Sequence, residues 1–293
     1  MQVLLVPNFA RENVPESTDR VVDRLNQFGI EALMDSGYAK FFAGRKVAFL
    51  PFPEAMAACD ALIAIGGDGT ILQTAKHAVA YDKPLLGINV GRLGFMAGLE
   101  MGELDLLKKL RDGTYSEEKR MMLDCVHSFP DGEKTYLALN DVVISNGSLS
   151  RVIELSIWSD QKELLSYRAD GIILSTPTGS TAYALSAGGP IVEPSVHSIV
   201  LTPICPHSLF NRSILFSEEN VIHVTPKKSS QTPAYITIDG CEGIRFGLED
   251  SITVRCSRKV TRLIRLKDRS FYEVLRQKFK IYSDRNTPLE ESL

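Results

Sequence analysis

The stretch ALIAIGGDGT at residues 61–70 decides the fold expected around it. Its first five residues are apolar and predict a buried strand, and the glycines that follow end that strand. Thr70 and Gln73 have the spacing of a capping box, which predicts that a helix begins there. Backbone N–H groups in a glycine turn and at the start of a helix bind anions, so this strand, turn and helix predict a phosphate site.

Two familiar phosphate-binding motifs do not fit this turn. A dinucleotide-binding GxGxxG motif starting at Gly67 needs a small residue at position 72, where this chain has Leu72. A Walker P-loop contains a Gly-Lys pair, and no such dipeptide occurs in the chain. The turn therefore belongs to neither class.

Asp68 is the informative residue of the turn. Phosphates repel a carboxylate unless Mg²⁺ or a hydroxyl donor compensates its charge, and both compensations belong to phosphoryl transfer. The alternative is a tight turn in which the aspartate only forms local hydrogen bonds. Lipid kinases and phosphofructokinases use similar glycine loops, so the turn alone leaves the substrate open.

Outward from this turn, the two parts of the chain have different patterns. From residue 2 to about 113, apolar runs alternate with helical stripes, which predicts an α/β domain with a parallel sheet. Between 121 and 265, short strand-like runs are separated by turn signals, which predicts a β-rich domain interrupted by one helix at 181–187. The expected domains are residues 1–119 and residues 120–267.

A hydroxyl-rich segment, STPTGSTAY at 175–183, follows the strand-like run GIILS. Six of its nine residues carry hydroxyls, which can hydrogen-bond an amide, a ribose or a phosphate, and Tyr183 can stack on a base. Asp170 and Arg168 lie just before that strand. The alternative is a Ser/Thr-rich turn that only caps a helix.

Asn140 and Asp141 interrupt two apolar strand-like runs, TYLAL and VVIS. Both residue types are disfavoured inside strands, so a bulge or a turn is the simpler interpretation. A paired amide and carboxylate also suits a ribose diol.

Composition limits the remaining possibilities. The net charge of −3 gives no sign of a nucleic-acid partner, and no apolar run approaches the ~20 residues of a membrane span. The N-terminus has no basic segment followed by a long apolar run, so we expect a cytoplasmic protein without a membrane anchor. Five scattered cysteines and five scattered histidines form no CxxC or HExxH pattern, so we expect no structural metal site and no disulfide framework.

Several stretches together resemble the NAD kinase family. They are AIGGDGTIL at 64–72, GINVGRLGFMAGL at 87–99, RMML at 120–123, LNDVVI at 139–144 and RADGIILSTPTGSTAYALSAGGPI at 168–191. The resemblance covers about residues 60–190 and is weaker in the terminal SFYEVLRQKF. It implies an N-terminal Rossmann-like α/β domain and a β-rich C-terminal domain, with a helix at about 268–293 returning to the first domain.

The resemblance also implies roles for individual residues. Asp68 would be the general base that takes the proton of the adenosine ribose 2′-hydroxyl of NAD. The residues implied to bind the nucleotides are Gly67, Gly69, Asn140, Asp141, Arg151, Arg168, Asp170, Thr181, Ala182, Tyr183, Ala184, Leu185 and Ser186. Such enzymes use Mg²⁺ with ATP, another nucleotide or polyphosphate as donor, and are commonly homodimers or homotetramers whose sites a neighbouring subunit completes.

Two positions depart from the family pattern. Asp141 stands where bacterial members commonly have Glu, and Cys241 follows Asp239-Gly240 where the family often has Gln. Because Cys is a poor hydrogen-bonding substitute, Cys241 is left out of the expected site. A lipid kinase with the same glycine loop and a non-catalytic NAD-binding sensor remain alternatives.

Overall fold

The structure is a computed structural model of the 293-residue chain. It describes residues 1–91, 93–147, 152–159, 161–208, 210–227, 232–241 and 243–283. The chain divides into two compact units. Unit 1 contains Met1–Lys119 and Thr261–Leu293, and unit 2 contains Arg120–Val260.

The elements up to residue 112 alternate between strands and helices. In chain order they are β1 (Gln2–Pro7), α1 (Val14–Gln27), β2 (Glu31–Asp35), β3 (Ala48–Leu50), α2 (Phe52–Ala58), β4 (Ala61–Gly66), α3 (Asp68–Ala80), β5 (Leu85–Asn89), β6 (Leu99–Glu100) and α4 (Lys108–Asp112). Short 3₁₀ helices lie at Ser36–Tyr38 and Leu104–Leu107.

The later elements are mostly strands. They are β7 (Ser116–Phe129), β8 (Gly132–Ala138), β9 (Asp141–Asn146), β10 (Ile153–Ser159), β11 (Lys162–Ala169), β12 (Gly171–Ser175), α5 (Tyr183–Ser186), β13 (Ser198–Ile204), β14 (Ile214–Ser217), β15 (Ile222–Pro226), β16 (Ala234–Ile238), β17 (Ile244–Phe246), β18 (Ser251–Arg265) and α6 (Phe271–Ser283). A 3₁₀ helix at Gly179–Thr181 precedes α5.

Unit 1 is built on a parallel sheet with the strand order β5-β4-β1-β2-β3. At one edge, Leu263 near the end of β18 pairs in parallel with Leu85 of β5. Every residue of β4 and β5 is buried, as expected for central parallel strands that are covered on both faces. Apolar residues of α1, including Val21 and Leu25, join these strands in one core.

Unit 2 contains two antiparallel arrangements of strands. One has the order β14-β13-β12-β9-β16-β17, and the other includes β11, β10, β15 and the first part of β18, together with the hairpin of β7 and β8. Inward-facing residues of both arrangements, such as Ile144 and Ile157, form a single hydrophobic core. The predicted fold class, α/β followed by β, is confirmed.

Two helices differ from the sequence prediction for identifiable reasons. Helix α3 begins at Asp68 with Gly67 as its N-cap, so the predicted capping box of Thr70 and Gln73 is wrong. Thr70 is buried in the first turn, where its hydroxyl accepts a hydrogen bond from Asn8 Nδ2 at 3.3 Å. Helix α2 was not predicted, because its proline-rich start resembles a loop, although proline is favoured in the first turn of a helix.

Within the described part of the chain, no helix is both long and apolar enough to cross a membrane.

Candidate active site

A cavity of about 750 Å³ lies in unit 1 beside the carboxyl ends of β1, β4 and β5. Its lining comes from the loops that follow these strands and from the terminal helix, at Arg11, Glu12, Asn13, Gly67, Asp68, Val90, Gly91, Leu93, Gly94 and Lys278. Open parallel sheets bind ligands in this position, outside the carboxyl ends of their strands. The volume is within the usual range for small-molecule sites.

Asp68 is the first residue of α3 and has a fixed carboxylate. Its Oδ2 accepts a hydrogen bond from the backbone N–H of Phe95 at 2.9 Å, and its Oδ1 accepts one from Met96 at 3.1 Å. The side chain is nevertheless 31% exposed. Two main-chain donors therefore orient the carboxylate while part of it stays accessible from the cavity.

Gly94 explains how a backbone segment approaches this carboxylate so closely. A Cβ atom at position 94 would lie 2.3 Å from Asp68 Oδ1, which is far inside van der Waals contact. Only glycine therefore allows the 94–96 segment to present its N–H groups to Asp68. The sequence stretch containing Gly94 supported the family resemblance, but the residue was not among the predicted site residues.

Two cations flank the glycine turn, and neither was predicted. Lys278 Nζ lies 3.9 Å from Asp68 Oδ2. The Arg11 guanidinium lies 3.1 Å from the point that a Cβ at Gly67 would occupy. Gly69, in contrast, is exposed, and a Cβ there would meet open space. Nothing in the local sequence marks Arg11 or Lys278, because only the folded chain brings them to the turn.

In unit 2, the fold places the Asn140-Asp141 turn next to the start of the hydroxyl-rich segment. Asp141 pairs with Ser175 across β9 and β12. The Thr176 N–H donates to the Asn140 carbonyl at 2.9 Å, and its hydroxyl donates to Leu139 O at 2.6 Å. A Cβ at Gly179 would lie 2.1 Å from the Asn140 carbonyl oxygen, so this position too requires glycine.

Most hydroxyls of this segment hold the loop together. Ser175, Thr176, Thr178 and Ser180 are buried. The Ser180 hydroxyl donates to Pro177 O at 2.7 Å and accepts from Val192 N at 3.0 Å. Thr178 Oγ1 accepts from Arg120 at 3.2 Å. The hydroxyls of Thr176, Thr178 and Ser180 are therefore bonded within the protein, whereas the buried Ser175 Oγ has no hydrogen-bond partner among the described residues.

The next residues of the segment differ in their exposure. Thr181, Ala182 and Leu185 are half-buried, and Tyr183 and Ser186 are exposed. Ala184 is fully buried and packs with Val143 and Ile173. Within 181–186, the accessible surface therefore lies on the residues around Ala184.

Asp239 fixes the Asn140-Asp141 turn and was not predicted as a site residue. Its carboxylate accepts hydrogen bonds from the backbone N–H groups of Leu139, Asn140 and Asp141 at 3.1, 2.8 and 3.1 Å. Its own N–H donates to Asp141 O at 3.0 Å. Three donors compensate the charge of this largely buried carboxylate.

Asp141 and Asn140 have unusual environments. Burial, together with the nearby Asp239 carboxylate, raises the pKa of Asp141 to about 7. Asn140 Oδ1 is buried and has no hydrogen-bond partner among the described residues. Because buried polar atoms are normally satisfied, this oxygen has an acceptor capacity that the described residues do not use.

Arg168 and Asp170 lie at the other end of β12 from this turn. Asp170 Oδ1 accepts a hydrogen bond from Asn146 Nδ2 at 3.3 Å, while the Arg168 side chain is 64% exposed. The strand between Asp170 and Ser175 separates the two ends by about 16 Å. Unit 2 therefore does not bring Arg168 and Asp170 together with Asn140. The predicted residue Arg151 lies outside the described residues.

Among the described residues, no group of three or more His, Cys, Asp or Glu side chains has the geometry of a metal site. The lining of the unit 1 cavity contributes two carboxylates, Glu12 and Asp68. Mg²⁺ in nucleotide sites is usually held by substrate phosphates and only one or two carboxylates, so this lining suits a metal that arrives with its nucleotide.

A glycine turn that presents a fixed carboxylate beside cations is the arrangement of a phosphotransferase, the class of enzyme that this fold and cavity define. The family model of the ATP-NAD kinase N-terminal domain matches residues 3–115, and that of the ATP-NAD kinase C-terminal domain matches residues 139–266. An NAD kinase of Caldanaerobacter subterraneus is 39% identical over 285 residues, covering 94% of this chain and 98% of its own. The chain belongs to the NAD kinase family, as its sequence motifs predicted.

Other relatives agree with this assignment. An NAD kinase of Moorella thermoacetica is 38% identical over 283 residues, covering 94% of this chain and 88% of its own. The crystal structure of an Archaeoglobus fulgidus NAD kinase in complex with ATP has a TM-score of 0.74 at 26% identity, over 96% of this chain and 99% of that one. The yeast NADH kinase complexed with NADH, at 24% identity, shares the fold, with a TM-score of 0.85 over all of this chain and 90% of that one.

Proposed function

We propose that this NAD kinase transfers a phosphoryl group from ATP to the adenosine ribose 2′-hydroxyl of NAD, with Asp68 as the general base. The observation that carries the proposal is the Asp68 carboxylate, held by two main-chain donors at the edge of a cavity and still partly exposed. A carboxylate with a fixed orientation can accept the proton of an attacking hydroxyl without first reorganising.

The chemical step is a direct displacement. The 2′-oxygen forms a bond to the terminal phosphorus of the donor, and the bond from that phosphorus to the bridging oxygen breaks, which releases ADP and yields NADP. The hydroxyl proton passes to Asp68. Little else is required of the protein, because phosphoryl transfer depends mainly on positioning and charge stabilisation.

The donor is proposed to bind in the unit 1 cavity. The Archaeoglobus relative was crystallised with ATP, which supports a nucleotide donor for this chain. The backbone of Gly67 and Gly69 at the start of α3 would meet the phosphates. Mg²⁺ would neutralise phosphate charge and would be held by the donor phosphates, with Glu12 or Asp68 as an additional ligand.

The acceptor is proposed to bind through unit 2. The unpartnered Asn140 Oδ1 would accept a hydrogen bond from a ribose hydroxyl of NAD, with Asp141 as the second acceptor. Thr181, Ala182, Leu185 and Ser186 would contact the dinucleotide, with Tyr183 against a base and Ala184 supporting them from the core. Arg151 is part of the same proposal through the family resemblance alone.

Arg168 and Asp170 support a shared site. They lie about 16 Å from the Asn140 turn at the far end of β12, so we assign them to a site completed by a neighbouring copy in a homodimer or homotetramer. The two compact units are proposed to correspond to the two domains, residues 1–119 with the terminal helix and residues 120–267. A cytoplasmic location is proposed on the same family grounds.

A coupled assay tests the proposed reaction. Purified protein, Mg²⁺, ATP and NAD should produce NADP, detected by a dehydrogenase that requires the 2′-phosphate. Parallel reactions with polyphosphate and with NADH would identify the preferred donor and acceptor. Absence of a 2′-phosphorylated product from every combination, in protein that binds NAD by calorimetry, would contradict the proposal and favour an NAD-binding sensor.

A further inference from the structure

We infer that Lys278, on the terminal helix α6, is a donor-phosphate-binding residue that also orients Asp68. This inference rests on the proposed function, because it assigns part of the same phosphoryl-transfer site to an element at the far end of the chain. Lys278 lies within the terminal SFYEVLRQKF stretch, but neither that weak resemblance nor the glycine turn assigns it a role in the site.

The geometry places the Lys278 ammonium at the catalytic carboxylate. Its Nζ lies 3.9 Å from Asp68 Oδ2 and 4.3 Å from the centroid of the Phe95 ring. The side chain is 26% exposed and lines the unit 1 cavity. Phe95 is also the residue whose N–H donates to Asp68, so the lysine packs against the segment that orients the carboxylate.

This contact differs from the structural ion pairs of the same unit. Arg265 Nε lies 2.6 Å from Glu118 Oε2, and Lys267 makes a similarly close pair with Glu103. Lys278 is more than an ångström farther from Asp68, and both oxygens of that carboxylate already accept main-chain hydrogen bonds. The ammonium therefore keeps donors for another group, and the group that the proposed reaction brings to this cavity is the donor triphosphate.

Charge in the cavity leads to the same assignment. A triphosphate placed beside Asp68 is repelled by that carboxylate, and a neighbouring cation offsets part of this repulsion. In P-loop enzymes the motif lysine reaches the terminal phosphates, and this chain has no Gly-Lys dipeptide. Lys278 supplies a cation at the corresponding chemical position from a different element.

Helix α6 is anchored well enough to deliver this side chain. Its start has a capping box in which Ser270 N donates to Glu273 Oε2 at 3.1 Å, and Glu273 N donates to Ser270 Oγ at 3.2 Å. Val274 is buried, and the ring of Phe271 lies 6.1 Å from that of Phe95. A fixed helix keeps the backbone of Lys278 beside the cavity, so binding does not have to order this segment of the chain.

The test compares Lys278→Met, Lys278→Arg and the control Arg276→Ala, an exposed cation on the same helix. Lys278→Met should raise the KM for Mg-ATP by about tenfold or more and lower kcat by a similar factor, since one charged contact to phosphate is lost. The Kd for NAD, measured by calorimetry, should stay within about twofold. Lys278→Arg should recover most of the Mg-ATP affinity, and Arg276→Ala should resemble the wild type.

Two further readouts separate a functional role from a structural one. Binding of a non-hydrolysable ATP analogue with Mg²⁺ should weaken in Lys278→Met, and the Tm should match that of Arg276→Ala. Wild-type KM and kcat in Lys278→Met, or a lowered Tm with unchanged analogue binding, would overturn the inference. If instead the wild-type protein made no NADP, the proposed function itself would have failed.

Discussion

At the scale of single residues, two aspartates have opposite environments. Asp68 is half-buried and held by main-chain N–H groups at the start of a helix, whereas Asp141 is buried beside the Asp239 carboxylate. The first arrangement holds a partly exposed side chain in a fixed orientation towards the cavity. The second gives a group whose pKa is raised to about 7, close to neutrality.

The raised pKa of Asp141 predicts a pH-dependent contribution to stability. The native state keeps the proton on this carboxyl up to about pH 7, while the unfolded state loses it near the ordinary value of 3.8. The contribution of the Asp141 proton to the free energy of unfolding is therefore complete below about pH 4. It is lost as the pH rises through 7, by up to roughly 4 kcal/mol. Asp141→Asn carries no such proton, so its free energy of unfolding relative to the wild type should increase between pH 4 and pH 8.

Urea unfolding of both proteins across that pH range measures this difference. Asp170→Asn, which removes a carboxylate at the far end of β12, is the control and should show no comparable trend. A constant difference between Asp141→Asn and the wild type at all pH values would contradict the raised pKa.

Individual residues also show what the sequence did and did not predict. Asp68 was predicted because a carboxylate in a glycine turn is chemically unusual, and Asn140 and Asp141 because they interrupt apolar strands. Asp239, Arg11 and Lys278 have no such local signal. Their relevance comes from hydrogen bonds and proximities between segments far apart in the chain, which periodicity and composition do not encode.

At the scale of elements, the prediction succeeded where the hydrophobic pattern was strong. Strands β4 and β12 were located from the apolar runs ALIAI and GIILS, and the terminal helix α6 was implied by the family resemblance. The start of α3 was misplaced because Thr70 has the residue type of a cap but lies inside the first turn. Helix α2 was missed because its prolines suggest a loop, although the first turn of a helix accepts them.

The loop before β6 gives a prediction at this scale. Gly94→Ala forces a Cβ into Asp68 Oδ1, so the N–H groups of Phe95 and Met96 can no longer both reach the carboxylate. We expect kcat to fall by about tenfold to a hundredfold, with NAD affinity retained. Gly102→Ala is the matched control, because a Cβ there meets nothing within 4 Å.

Steady-state kinetics of these two variants distinguish a local effect from a general one. A Gly94→Ala enzyme with the kcat of Gly102→Ala would show that the hydrogen bonds to Asp68 do not matter for turnover. A crystal structure of the variant should show the Asp68 side chain displaced from the 94–96 segment.

At the scale of the whole molecule, the fold class and the family were predictable because several motifs occur in a fixed order along the chain. The shared character of the proposed site was implied by the resemblance alone. We propose it also because one copy of unit 2 places Arg168 and Asp170 at the opposite end of β12 from the Asn140 turn.

A shared site predicts complementation between inactive variants. Asp68→Asn and Asp170→Ala should each be inactive, and a mixed homodimer contains one site with both changes and one with neither. When the two variants are co-expressed at equal levels, random pairing makes half of the dimers mixed, and one of the two sites in each mixed dimer is intact. The mixture should therefore recover about a quarter of wild-type activity. Asp68→Asn and Gly94→Ala change the same part of the site, so every site of their mixed dimer carries one of the two changes. Co-expression of this pair should therefore give no more activity than the separate variants. Activity no greater than that of the separate variants in the first mixture would contradict a shared site.

The turnover of Asp68→Asn tests the general-base role of Asp68 directly. An amide retains the shape of the carboxylate but is a poor base, so NADP formation should fall by roughly a thousandfold while the Kd for NAD changes by less than about threefold. Asp105→Asn, an exposed aspartate of the same unit, should keep wild-type turnover. If Asp68→Asn retained a kcat within tenfold of the wild type, Asp68 would not be the general base.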